Sequence, residues 1–120
     1  MKRNLALCRQ ILLEVESRPP GDFRPVAIEG RNADEVNYHC MLLADGGYIE
    51  VKHVGTLAKP AQVIVLRLTW RGHDFMDSAR DPSVWETAMK KAGGKVTSIT
   101  LDVAKDLCAS LIKGSLGLPP

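Results

Sequence analysis

The fold is decided by one stretch, residues 38–49, which reads Tyr38-His39-Cys40-Met41-Leu42-Leu43-Ala44-Asp45-Gly46-Gly47-Tyr48-Ile49. Its first eight residues continue a helical pattern that Asn32 can cap. The two glycines end this helix, because glycine adopts the left-handed conformation without penalty. Tyr48 and Ile49 then begin a strand. The stretch therefore predicts a helix that ends at about Asp45 and turns directly into a β-hairpin.

The segments on either side extend this pattern. Residues 48–54 and 63–68 are rich in β-branched and apolar side chains, and the first of them alternates apolar with polar, so together they predict the hairpin. On the N-terminal side, residues 5–15 predict an amphipathic helix that ends at Pro19-Pro20-Gly21. Residues 23–28 predict a brief edge strand, since a proline interrupts them.

Three more helices are predicted after the hairpin. Thr69 can cap the first, and Asp81-Pro82 begins the second, which ends at Gly93-Gly94. The last is expected to run from Thr97 or Ser98 to Lys113 and to stop at Gly114. Three aromatic side chains are predicted to pack in the core or between helices: Trp70, Phe75 and Trp85.

The order helix, short strand, helix, hairpin, helix is typical of a winged helix-turn-helix domain. The predicted class is therefore α+β, with a small β-hairpin wing and additional C-terminal helices. We expect a single domain over residues 1–120, made of a winged-helix core at residues 1–80 and a helical extension at residues 81–120.

The motifs also resemble known families. The end of the helix before Gly46-Gly47 resembles the recognition helix of bacterial winged-helix regulators such as the ArsR and MarR groups, and residues 67–72 resemble the segment that closes their wing. Over nearly its full length the chain resembles more closely an uncharacterised bacterial and phage family, domain of unknown function 2513, and it is similar to the YjcQ-like family, a minimal winged helix. This resemblance implies the fold and a phage or prophage setting. It rests on Met1-Lys2-Arg3, Tyr38-His39, Leu42-Leu43, Leu68-Thr69-Trp70-Arg71-Gly72-His73-Asp74-Phe75, Asp77, Arg80, Trp85 and Leu116-Gly117-Leu118.

Charge and composition narrow the possible partners. The chain has 16 basic and 14 acidic residues, but residues 19–50 hold two basic against six acidic residues. Such a balance differs from that of a protein that coats nucleic acid, and the few aromatic residues disfavour a stacking platform for single strands. No segment has the length of a signal-peptide core or a membrane span, so we expect a cytoplasmic protein without a membrane partner.

The first functional prediction is a DNA-binding or transcription-associated regulator of phage or prophage origin. Its partner would be double-stranded DNA, and its C-terminal helices would form a homodimer. A helix that reads the major groove normally presents Arg, Lys, Asn or Gln, whereas the outer side of this helix presents acidic residues. DNA contact is therefore expected chiefly from the wing and its exit. The candidate DNA-binding residues are Arg31, Asn37, Lys52, His53, Lys59, Arg67 and Arg71.

The alternative prediction is a protein–protein interaction module. Tyrosine and methionine are enriched at interfaces, and here they are surrounded by carboxylates on one helix face. A phage-encoded domain of this kind could inhibit a host defence complex, in the manner of an anti-CRISPR protein. The candidate partner-binding residues are Asp34, Glu35, Tyr38, Met41 and Asp45.

No catalytic or metal-binding pattern is found. The cysteines, Cys8, Cys40 and Cys108, form no CxxC pair and are expected to be buried and reduced. His39 and Cys40 are adjacent, so their side chains diverge by about 100° on a helix, and His39 is interpreted as a hydrogen-bonded structural residue. We therefore predict no enzyme, no cofactor and no metal.

Overall fold

The computed structural model describes residues 1–55, 62–93 and 99–119. Within these ranges the fold is α+β, compatible with a winged helix followed by C-terminal helices. The chain divides into two compact units, Met1–His73 and Asp74–Pro120, and the division falls inside the third helix. The elements in order are α1 Leu5–Ser17, α2 Ala33–Asp45, β1 Ile49–Val54, β2 Gln62–Leu68, α3 Trp70–Ala79, α4 Pro82–Ala92 and α5 Leu101–Ser115.

In the first unit, α1, α2 and the hairpin contact one another around one apolar core. Helix α1 begins at Asn4, whose side chain accepts a hydrogen bond from the Leu7 backbone N–H at 3.0 Å. Most of its apolar side is buried, and so are Val36, Cys40 and Leu43 on the inner side of α2. The burial of large apolar side chains is the main favourable contribution to folding of this unit. The most deeply buried of them are Leu7, Ile11, Leu12, Val36, Cys40, Leu43, Val63 and Val65.

Helix α2 has the bounds that the sequence predicts. The Asn32 side chain accepts hydrogen bonds from the backbone N–H groups of Asp34 at 2.8 Å and Glu35 at 3.2 Å. At the other end, Gly47 has a φ of +83°, the left-handed conformation expected of a residue just past a helix. The chain therefore leaves α2 directly into the hairpin.

Strands β1 and β2 pair antiparallel, from Ile49 opposite Leu68 to Val54 opposite Gln62. The register shifts between Glu50 and Val51, whose partners are Arg67 and Val65. Leu66 is therefore an extra residue in β2, the arrangement of a β-bulge, which bends the strand and increases its twist.

The predicted edge strand at residues 23–28 is wrong in extent. It is reduced to a single antiparallel bridge between Arg24 and Val65, in which the Val65 N–H donates to the Arg24 carbonyl at 3.3 Å. The Arg18 guanidinium also donates to the carbonyls of Arg24 at 2.8 Å and Pro25 at 3.1 Å. Because Pro25 has no N–H to donate, and its carbonyl already accepts from a guanidinium, the bridge does not extend into a longer ladder.

In the second unit, α4 begins where the sequence predicts, because the Asp81 carboxylate accepts from the Ser83 N–H at 2.8 Å and Pro82 occupies the first turn. Helices α4 and α5 contact each other. The Phe75 and Trp85 rings pack edge to face, with their centroids 6.2 Å apart, which confirms a packing role for both.

The predicted bounds of the last helix need correction. Helix α5 begins at Leu101, since the Thr100 hydroxyl oxygen accepts from the Val103 N–H at 3.1 Å and so acts as the cap. Thr97 and Ser98 lie outside the described residues. The helix also continues through Gly114 to Ser115 and ends before Gly117, which has a φ of +74°.

No helix in the described part of the chain is long and apolar enough to span a membrane.

Candidate interaction surface

The exposed side of α2 carries four side chains that the sequence placed together, and we call it the α2 outer face: Asp34, Tyr38, Met41 and Asp45. Tyr38 is 38% exposed and Met41 is 36% exposed, and both carboxylates at the ends are exposed. Glu35, the fifth candidate for partner binding, is half-buried and lies 3.6 Å from the Arg31 guanidinium. The face therefore has an apolar middle and an acidic residue at each end.

Two polar side chains hold α2 in place. The Asn37 amide oxygen accepts a hydrogen bond from the Val63 backbone N–H in β2 at 3.0 Å, which ties the helix to the hairpin. Val63 is almost completely buried, so its N–H needs this acceptor. Asn37 thus has a structural contact in the position where the sequence predicted a DNA contact.

His39 is the second polar side chain that holds α2 in place. It is completely buried, its Nε2 accepts from the Asn4 backbone N–H at 2.9 Å, and its Nδ1 lies 2.8 Å from the Glu35 carbonyl oxygen. An acceptor at Nε2 and a donor at Nδ1 describe a neutral imidazole with its hydrogen on Nδ1. The ring also meets Tyr38 edge to face at 5.9 Å. The interpretation of His39 as a structural residue is confirmed, and it links the cap of α1 to the helix that carries the outer face.

The three candidate arginines for DNA contact all have intramolecular partners. Arg31 lies beside Glu35, as described above. Arg67 donates to both carboxylate oxygens of Glu50 at 2.9 Å, a two-point contact across the strands. Arg71 donates to the Gly46 carbonyl at 2.8 Å, and its guanidinium lies 4.5 Å from the centre of the Tyr48 ring.

Lys52 and His53, two further candidates for DNA contact, differ from these arginines in their contacts. Both are exposed on β1, opposite Ile64 and Val63 of β2. Among the described residues, neither side chain has a hydrogen bond or an ion pair. Lys59, the remaining candidate, lies outside the described residues. Because successive side chains of a strand point to opposite faces, the described part of the wing offers Lys52 on one face and His53 on the other.

Sequence reasoning misplaced Trp70. The prediction that it packs in the core is wrong, because it is 83% exposed. Trp70 stands two residues before Gly72, about 200° away around α3, and Gly72 lies against the Tyr48 carbonyl. Trp70 therefore faces away from the hairpin, and a helical wheel of α3 does not show this without the contact between Gly72 and Tyr48.

Sequence reasoning also missed Arg18. Its side chain is almost completely buried, it donates two hydrogen bonds to the 24–25 segment, and its Nε lies 3.6 Å from the Glu14 carboxylate. An arginine before Pro19-Pro20 is the only signal in the sequence, and it does not indicate burial.

Two of the cysteines, Cys8 and Cys40, are poor sources of a reactive thiolate. Burial raises the pKa of the Cys8 thiol to about 11 and that of Cys40 to about 12. All three cysteines are buried, and none of them forms a disulfide. Since the thiolate is the nucleophile and the metal ligand, the raised pKa values disfavour both roles. In the part of the chain that the structure covers, no three His, Cys, Asp or Glu side chains are grouped as a metal site would need.

Comparison with known proteins gives a family and a relative. The sequence pattern of the family described as "Hypothetical protein (DUF2513)" matches residues 2–98. A protein of Haemophilus influenzae, described as "Uncharacterized protein", is 33% identical over 118 residues, which cover 97% of this chain and 99% of that protein. No solved structure gives a significant match.

Proposed function

The chain belongs to the DUF2513 family, and we propose that this member is a non-enzymatic binding protein of the cytoplasm whose α2 outer face docks onto another protein. In the phage or prophage setting that the family resemblance implies, the partner is a protein of the bacterial host. An inhibitor of a host defence complex is one form that such a protein can take.

One observation carries the proposal: Tyr38 and Met41 are exposed one helical turn apart on a helix that is held rigidly from behind. Asn37 and His39 fix α2 to the hairpin and to α1, so the outer face is ordered before a partner arrives. Binding by an ordered face costs less conformational entropy. Aromatic and methionine side chains in the middle of a polar rim are the usual composition of an interface centre.

The charges on the face point to a basic partner. Asp34 and Asp45 are exposed at the two ends, whereas the acidic residues next to the face, Glu35 and Glu50, are already paired with arginines. A partner that presents lysines or arginines around an apolar pocket would complement this arrangement. Few carboxylates on or next to this face lack an arginine partner. Mimicry of the negative charge of a nucleic acid therefore explains the face less well than a protein partner does.

A site-specific photo-crosslinker tests the proposal. Placed at Tyr38, it should give a discrete adduct with a host protein in living cells, and the same crosslinker at Thr87, an exposed position in α4, serves as the matched control. The substitutions Asp34→Lys and Asp45→Lys should each reduce the Tyr38 adduct severalfold, because they reverse the rim charge. Equal labelling from both positions, or an adduct that survives both charge reversals, would contradict the proposal.

Double-stranded DNA is the second candidate, and it is favoured by the exposed side chain of Lys52 on the hairpin. A wing that contacts only phosphates gives weak binding that falls steeply with salt. Fluorescence anisotropy with a random-sequence duplex, at low and then moderate salt, measures this directly. Lys52→Ala should weaken binding, and Lys90→Ala in α4 should not. No binding even at low salt would exclude this candidate.

A further inference from the structure

Apolar side chains are exposed at both ends of α5, within the second unit. Val103, in its first turn, is 43% exposed, and Leu116, directly after its last residue, is 68% exposed. Leu118 is exposed as well. The opposite side of the helix is packed within the chain, since Ala104 and Cys108 are completely buried. Exposed apolar surface at both ends of one helix indicates a contact that the single chain does not complete.

The side of α5 next to the buried side has the spacing of a helix–helix seam. Val103, Leu107, Ser110 and Gly114 follow one another at intervals of four, three and four residues, the repeat by which two helices pack along their length. Leu107 is half-buried, and Ser110 and Gly114 are exposed. A Cβ atom added at Gly114 would meet no other atom within 4 Å, so there is room for a large side chain to approach.

The charges beside the seam select its orientation. Asp106 is exposed near the start of α5, and Lys113 is exposed in its last turn. In an antiparallel pair of identical helices, the start of one helix lies beside the end of the other. Asp106 then faces the partner's Lys113, because both lie on the same flank of the seam, whereas a parallel pair keeps the two charges about two helical turns apart.

The charge pairing also fixes the register of the two helices. Pairing Asp106 with Lys113 places a two-fold axis midway between Ala109 and Ser110. In that register the exposed Val103 of one copy lies beside the last turn of the other copy's helix, where Gly114 leaves room for it. A two-fold contact of this kind is closed, because each copy uses the same surface on the other.

We propose that two copies of this chain associate through α5, antiparallel, with Val103 and Leu107 of each copy packed against the end of the other copy's helix. The proposal is independent of what the α2 outer face binds, because it uses only residues of the second unit.

A charge-swap series measured by sedimentation equilibrium tests the pairing. The wild type should sediment as twice the 13.1 kDa chain. Asp106→Lys and Lys113→Asp should each raise the dimer dissociation constant at least tenfold, and the double variant should restore it to near the wild-type value. Lys90→Asp, a charge reversal on α4, should leave it unchanged. A wild type that stays at 13.1 kDa at high concentration, or a double variant that is weaker than both single variants, would overturn the proposal.

Disulfide trapping tests the orientation. When the variants Asp106→Cys and Lys113→Cys are mixed and oxidised, the antiparallel register predicts crosslinks between them and few between identical variants. The native cysteines are buried and do not compete. Efficient crosslinking of Asp106→Cys with itself would indicate a parallel pair and would also overturn the proposal.

Discussion

Residues 69–72, at the start of α3, make different kinds of contact although they lie in one turn. The Thr69 hydroxyl donates to the Gly47 carbonyl and accepts from the Gly72 N–H, so it joins the end of α2 to the start of α3. Arg71 covers the Tyr48 ring, and Gly72 lies against the backbone of Tyr48. Trp70 contributes to none of these contacts.

Gly72 should not tolerate a side chain. A Cβ atom there would overlap the Tyr48 carbonyl oxygen and lie 3.3 Å from the Leu68 Cβ atom. Gly72→Ala should therefore lower the free energy of unfolding by about 3 kcal/mol, in spite of the higher helix propensity of alanine. Urea unfolding followed by circular dichroism measures the change, with Thr87→Ala on the exposed side of α4 as the control. A Gly72→Ala variant as stable as the control would mean that the helix and hairpin do not approach so closely.

The buried thiols should make stability depend on alkaline pH. The ordinary thiol pKa is 9.0, and burial raises it to about 11 for Cys8 and about 12 for Cys40. Because the folded pKa values are raised, the stabilisation is fully present below pH 9 and is lost as the pH rises through 11 and 12. At pH 10 each thiol should have lowered the free energy of unfolding by about 1 kcal/mol.

Urea unfolding at pH 8, 9 and 10 measures this slope, and Cys8→Ala separates the thiols from other groups that titrate in the same range. The variant should show a smaller loss between pH 8 and pH 10 than the wild type. Identical losses in the two proteins would show that the Cys8 thiol makes no contribution.

At the scale of elements, the segment between α1 and α2 is held by side chains where a sheet would use backbone pairing. Residues 18–32 contain no helix, and a single bridge at Arg24 is their one link to the hairpin ladder. The buried Arg18 guanidinium supplies the remaining contacts by donating to the carbonyls of Arg24 and Pro25. We call these two Arg18 hydrogen bonds the Arg18 clamp. Because α2 follows this segment, the clamp also limits where the α2 outer face begins.

Removal of the clamp should destabilise the first unit. Arg18→Ala leaves the carbonyls of Arg24 and Pro25 without their charged donor and should cost about 2–3 kcal/mol. Lys90→Ala, which removes an exposed ion pair with Glu86 at 3.2 Å, should cost less than about 1 kcal/mol. Hydrogen exchange measured by NMR should show faster exchange at the Val65 amide, which donates to Arg24, in the first variant alone. Unchanged exchange at Val65 would mean that the bridge forms without the clamp.

At the scale of the whole molecule, the chain forms two compact units, and the functional proposals fall on different ones. The α2 outer face and the wing belong to the first, and the α5 seam belongs to the second. The prediction of a single domain over residues 1–120 is a statement about cooperative unfolding and stays a prediction. A coincident transition for probes in both units would support it.

Self-association should make the thermal stability of the protein depend on its concentration. If α5 pairs with a second copy, mass action stabilises the folded dimer, so the Tm should rise by several degrees over a hundredfold increase in protein concentration. Asp106→Lys should remove this dependence and leave the Tm at low concentration unchanged. Differential scanning fluorimetry across that range gives the answer. A concentration-independent Tm in the wild type would be inconsistent with dimerisation in this range.

The sequence by itself determined the local elements of this protein: Asn32, Thr69 and Asp81 cap helices where their short polar side chains predicted it, and the exposed side of α2 follows from helical periodicity. These outcomes depend on neighbours within four residues, so a pattern is sufficient to predict them. Only the tertiary structure decided that Asn37, Arg67 and Arg71 make internal contacts, that Arg18 is buried and that Trp70 is exposed. Each of the first four depends on a group brought close by folding, and the exposure of Trp70 depends on how close α3 comes to Tyr48. A long polar side chain can reach either solvent or a distant carbonyl, and periodicity does not distinguish the two.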